Sequence, residues 1–249
     1  MKNLIILSVF ILMCLLNVNA QDADDQTKLY YTSEYSGGFF LHSYGMGGNF
    51  RYGQKLGAAN TRIYQFEFST MKHPKEQKVY NPYLNDPKGY VYGKENSFWT
   101  FRFSIGKDKE IFGKEIKKGV KVSYVYAAGF TLGFVKPIYY EVATPNLGAP
   151  NYTVSSEKFD LEEHSIDRIF GKSGFLVGFN ELSLKPGANV KFAFNFEYAA
   201  EDALIRALEA GASLDAFPQQ IQVLAGEEGS KNLWLGVYIN IMFGRKVSS

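Results

Sequence analysis

Cysteine is almost missing from this 249-residue chain: Cys14 is the single one. It lies in an N-terminal segment that reads as a leader, so the mature chain is expected to have no disulfide, thiolate metal site or cysteine nucleophile. Beyond that leader no run of 18 apolar residues occurs, which excludes a helix that crosses a bilayer. Charge of one sign is scarce as well. Lys and Arg number 27 against 25 Asp and Glu, without a basic tract, and nothing points to nucleic acid. The G-x-S-x-G, H-E-x-x-H, P-loop and dinucleotide patterns are absent too, so no cofactor is implied and the chain is read as a non-enzyme.

Residues 1–20 have the three parts of a secretory signal. Lys2 supplies the positive start, Leu4 to Leu16 the apolar core, and Val18-Asn19-Ala20 a small-x-small site with cleavage after Ala20. The core, about 13 residues, is short of the roughly 20 that a spanning helix needs. Met13 precedes Cys14 where lipid attachment asks for a small residue, so a lipoprotein is not expected.

What the chain has in quantity is aromatic residues, 17 Tyr and 21 Phe, at a mean hydropathy of only -0.17. Apolar groups must therefore be interleaved with polar ones. From Thr61 to Thr70 the aromatics Tyr64, Phe66 and Phe68 alternate with Gln65, Glu67 and Ser69, placing them on opposite faces of a pleated strand. Trp99, Phe101, Phe103 and Ile105 alternate with Thr100, Arg102 and Ser104. The stretches from Val122 to Phe134 and from Asn189 to Ala199 repeat the pattern, with Val, Tyr, Phe and Leu on one parity and Gly, Ala, Ser, Thr, Asn, Lys and Glu on the other.

Such alternation suits a soluble sandwich with its bulk inward or a membrane barrel with its bulk toward lipid. Strands of about ten residues with three to five large groups each overfill a small soluble barrel, whereas lipid accepts any bulk. The expected fold is therefore all-β: an antiparallel up-and-down transmembrane barrel of eight to ten strands, ten favoured, formed by residues 21–249 as one domain after the cleaved leader. The polar parity would then line a narrow lumen, where Glu67 and Glu197 must pair with Arg102, Lys121 and Lys191 because an unpaired buried charge is strongly unfavourable. Glu209 joins them if its segment is a strand.

Further strands are expected at Leu29–Ser36, ahead of the Gly37-Gly38 pair, at Gly38–Tyr52, Phe175–Leu184 and Leu233–Phe243, with Lys185-Pro186-Gly187 as a turn. Glu201–Phe217 fits a helix or a strand; a strand from about Arg206 to Phe217 is preferred, and Ile221–Ala225 would complete ten. The long connections near 72–96 and 136–172 are expected outside the cell, with both termini in the periplasm.

Five segments, SYGMGGNFRYGQK (43–55), MKHPKE (71–76), YVYGKENSFWTFRFSIG (90–106), GFTLGFVKPIYYE (129–141) and LGVYINIMFGRK (235–246), resemble the small porin-like outer-membrane barrels of the Bacteroidota. The resemblance implies a barrel in the outer membrane of a Gram-negative bacterium and transfers no site residues. Among chemistry-bearing residues, Asp160, Glu163 and His164 form the best candidate for a divalent cation, although such an acidic run in a loop is more often a solvated face. His42 beside Ser43 is read as a lumen or rim residue. The leading functional expectation is a structural component or accessory subunit of an envelope complex that contacts outer-membrane lipids and, through its long loops, envelope proteins. A narrow pore for small solutes and a lipid-modifying enzyme are the alternatives.

Overall fold

The computed structural model describes residues 31–83, 88–113, 119–145, 152–161, 163–198, 203–226 and 229–248. The leader and its cleavage site after Ala20 lie outside the described residues. Eight long strands close into an antiparallel barrel: β1 (Ser33–His42), β2 (Gly45–Lys55), β3 (Asn60–Met71), β6 (Asn96–Phe112), β7 (Lys121–Pro137), β11 (Ser183–Glu197), β12 (Leu204–Gln222) and β13 (Ser230–Val247). Each pairs with its sequence neighbour in the wall, and β1 pairs with β13 to close it.

The register sets the geometry of the tube. Following paired residues once around, from Thr100 through Ser69, Gly47, Phe40, Asn240, Glu209, Asn195 and Ser123, the path returns to β6 at Glu110, ten residues from its start. That stagger tilts the strands by about 35–45° and leaves an interior just wide enough for side chains to fill.

Eight strands replace the favoured ten, and the differences have local causes. The Gly37-Gly38 pair does not turn the chain. It lies inside β1, opposite Phe50 and Asn49 on β2 and Phe243 and Met242 on β13, and the reversal falls at Ser43-Tyr44. A Cβ on Gly38 would sit 2.2 Å from the Ile241 carbonyl oxygen, so this glycine serves a close approach of two strands. Lys185-Pro186-Gly187 is likewise part of a strand. Pro186 pairs with Leu132 on β7, while the ladder to β12 begins only at Ala188, and a residue without an N–H is tolerated where the ladder is one-sided. Phe175–Leu184 is mostly turns with a 3-10 helix at Phe179–Glu181. The expected strand at Ile221–Ala225 begins as the last turn of pairing in β12, resumed after an irregularity between Ala216 and Ile221. The segment that fitted a helix or a strand is β12.

Connections at one end are short, 56–59, 113–120 and 198–203, and β1 enters and β13 leaves there. The opposite end carries 43–44, 72–95, 138–182 and 223–229. The second long connection runs further than expected because Phe175–Leu182 does not join the wall. Inside these connections lie the hairpin β4 (Lys78–Val79) and β5 (Tyr90–Val91) and a three-stranded sheet of β8 (Tyr139–Pro145), β9 (Tyr152–Lys158) and β10 (Ile169–Lys172), in the order β10-β8-β9.

Candidate functional site

The wall is inverted relative to a water-soluble protein. Phe39, Leu41, Phe68, Phe130, Phe192, Leu235, Val237 and Ile239 all face outward and exposed, Phe39 at 81% and Val237 at 67%. The parity that faces the axis holds the ions, and Gln65 and Glu209 there are 0% exposed. Alternation puts the two sets on opposite faces of every strand.

Three layers fill the interior. At the short-loop end Glu197 takes ion pairs from Lys121 (2.8 Å) and Lys246 (2.7 Å). In the middle Glu67 lies 2.9 Å from Lys191 and 3.6 Å from Arg102. Arg102 in turn pairs with Asp215 at 2.7 Å, and Glu209 with Arg51 at 2.5 Å and Lys191 at 3.5 Å. Arg51 donates to Gln65 (3.1 Å), Gln65 to Glu67 (2.8 Å) and the Tyr238 hydroxyl to Glu209 (2.8 Å). Three cations thus meet three carboxylates, and the surrounding amides and hydroxyls satisfy the remaining lone pairs. At the long-loop end Met71, Phe98, Val135, Phe217, Ile221, Val223 and Trp234 form an apolar plug. Phe98 packs on Phe217 at 5.7 Å and on Trp234 at 5.3 Å.

The structure therefore brings Glu67, Arg102 and Lys191 together and sets Lys121 with Glu197 in a separate group. Arg51, Asp215 and Tyr238 were missed. Arg51 alternates with Phe50 and Tyr52 and could have been found by the same parity rule. Tyr238 breaks that rule, since it is an aromatic on the small, polar parity. His42 points inward and its Nδ1 accepts from the Tyr44 amide at 3.3 Å. Ser43 instead bonds the backbone of Val237.

Above the plug the long connections fold on one another. Tyr90, Ile138, Tyr140, Val142, Phe159 and Ile169 make a second apolar core. The Tyr140 hydroxyl donates to the carbonyls of Val91 (2.6 Å) and Lys94 (3.0 Å), and Asn81 Nδ2 lies 2.8–3.0 Å from those of Ile166, Asp167 and Ile169. Burial pushes the Tyr140 phenol above its ordinary value. Backbone bonds from Glu95 to Val223 (3.0 Å) and from Ile138 to Glu95 (2.7 Å) join this cap to the barrel rim.

His164 is buried in the cap and stacked on Phe159. Its Nε2 meets Glu157 at 3.1 Å and its Nδ1 the backbone of Asp160. Hydrogen bonds from Ser155 and His164 hold Glu157 below the usual carboxylate range. The three candidate ligands Asp160, Glu163 and His164 do not converge: no group of three His, Cys, Asp or Glu that could hold a metal is found among the described residues.

These features define a closed eight-stranded barrel with an apolar exterior, an ionic interior and a folded cap. No family model and no curated protein matches the chain. Among solved structures it is similar to Ail, the attachment invasion locus protein of Yersinia pestis, in complex with the heparin analogue sucrose octasulfate. The TM-score is 0.40 at 11% identity, covering 86% of this chain and 97% of that one. It is also similar to Neisserial surface protein A, at a TM-score of 0.39 and 11% identity over 86% of this chain and 96% of that one.

Proposed function

We propose that this protein is a non-enzymatic integral barrel of a Gram-negative outer membrane, exported by a leader cleaved after Ala20, that displays its cap as a contact surface for other envelope components. The observation that carries the reading is the inverted wall. A belt of Phe, Leu, Ile and Val on the outside and an ionic network on the inside is unfavourable in water, whereas it matches an apolar band about 25 Å tall. Aromatic girdles support the same placement. Tyr35, Tyr52 and Tyr64 stand side by side near the short-loop end, with ring centroids 5.0 and 6.1 Å apart. At the other rim Phe175 and Phe179 lie on Trp99, at 5.9 and 6.3 Å. The long connections then face the outside of the cell. The segments that resemble Bacteroidota barrels point to that type of envelope.

The filled interior speaks against a pore. An ionic layer and an apolar plug lie in series, and an ion following the axis would have to displace both. The cap, with its own core and a rim-bonded backbone, is suited to hold a fixed shape for partners. Carbonate washing of membranes together with gel migration before and after heating tests the placement. A barrel retained by membranes with heat-dependent mobility is expected, and release into the wash would refute it. Extraction in mild detergent should bring stoichiometric partners, and repeated recovery of a lone barrel would count against an accessory role.

A further inference from the structure

The outward-facing charged side chains at the short-loop end of the wall are all cationic among the described residues: Arg62, Lys107, Lys109, Arg206 and Arg245. Two of them are direct neighbours. Arg62 on β3 is the paired residue of Lys107 on β6, and both are exposed. Like charges directly opposite one another on a sheet repel. Neither side chain has a hydrogen bond or ion pair among the described residues, so the repulsion is not relieved from within the wall. Lys109, two residues along the same face, adds a third positive charge.

Immediately above this pair the wall is recessed. In the row Tyr64, Ile105, Ala128, Val190, residue 128 is the small one. A groove of about 460 Å³ opens there, lined by Arg62, Ile105, Lys107, Tyr126, Ala128 and Val190 among others. A cationic mouth that leads into an apolar slot is complementary to an amphiphile with an anionic head. Arg binds phosphate oxygens in a bidentate fork, and Lys adds a point charge.

We propose that this face binds one anionic glycerophospholipid of the inner leaflet, its phosphate between Arg62 and Lys107 and an acyl chain in the groove over Ala128. The assignment rests on the membrane reading above, which puts the short-loop end at the periplasmic surface, where the lipid headgroups lie. It goes further than that reading, because a generic apolar belt requires no particular headgroup and no recess.

Native mass spectrometry of the detergent-extracted, full-length barrel tests it, with dioleoylphosphatidylglycerol and dioleoylphosphatidylethanolamine offered at equal mole fraction. The wild type should retain a single phosphatidylglycerol with a preference of about tenfold, the scale of one charge-assisted contact. Arg62→Gln with Lys107→Gln should abolish that preference, and each single variant should reduce it, which keeps the test open should the double variant not fold. Ala128→Trp should weaken retention of both lipids. Equal retention by the wild type, or a preference that survives the Gln variants, overturns the proposal. So does displacement of the lipid by millimolar inorganic phosphate as readily from the wild type as from Ala128→Trp. Heat-dependent gel mobility of the same samples separates the two readings. A barrel that inserts without lipid preference sinks the site alone, and a chain that never inserts sinks both.

Discussion

At Arg102 a single guanidinium holds Asp215 at 2.7 Å and lies 3.6 Å from Glu67, all in a closed lumen. Replacing it with Met keeps volume and leaves two carboxylates short of a partner. Breaking a buried pair from one side costs about 3–5 kcal/mol, so Arg102→Met should lower the urea midpoint of the heat-dependent gel shift by a corresponding amount, and Asp215→Asn in the same chain should recover part of the loss. Tyr140 gives a prediction in pH. The folded cap holds the phenol proton more tightly than the unfolded chain does, whose value is near 10.0. The stabilisation is therefore full below pH 10 and is lost as pH rises beyond it. Proteolysis of the cap should accelerate above pH 10 in the wild type, and Tyr140→Phe should flatten that rise. That Glu67, Arg102 and Lys191 face one interior was legible in their parity. Which ion meets which was not, since Lys191 and Glu67 are 124 residues apart and only the stagger of the tube brings them level.

The strands were legible wherever alternation was strict. β3, β6, β7 and β13 contain the segments expected of them, and β11 contains the expected one as far as Glu197, because a period of two with bulk on one parity leaves little else for the backbone to do. Reading failed where glycine, proline or a local apolar cluster had a different cause. Gly37-Gly38 has the composition of a turn, yet it answers to strand crowding. Pro186 marks the edge of a ladder, and Phe175 and Phe179 are apolar because they lie on Trp99 outside the wall. The outward parity can be tested element by element. Phe66→Lys, near the middle of β3, should cost about 2–4 kcal/mol in refolding into vesicles, while Leu233→Lys at the rim of β13 should cost about 0–1. Equal costs at the two depths would contradict a lipid-facing wall.

At the largest scale the described residues from Tyr31 on form a sealed tube under a folded cap, and its seals are redundant. Phe98→Ala with Trp234→Ala would empty the plug, each at a cost of about 3–5 kcal/mol, but the Arg102–Asp215 pair and the Lys191–Glu67–Glu209 group lie beneath it. Planar bilayers should therefore record no steady conductance from the wild type or from this double variant. A stable open channel in the wild type would put the pore ahead of the contact-surface reading.

By itself the sequence determined the secondary structure class, the two faces of the strictly alternating strands and the inversion of the wall, because these follow from the spacing of bulky and polar residues along the chain. The tertiary structure decided the strand number, the ion pairs, the plug and the cap. Those depend on which residues the closing register sets opposite one another, a property of the ring of eight strands that no single stretch of chain contains.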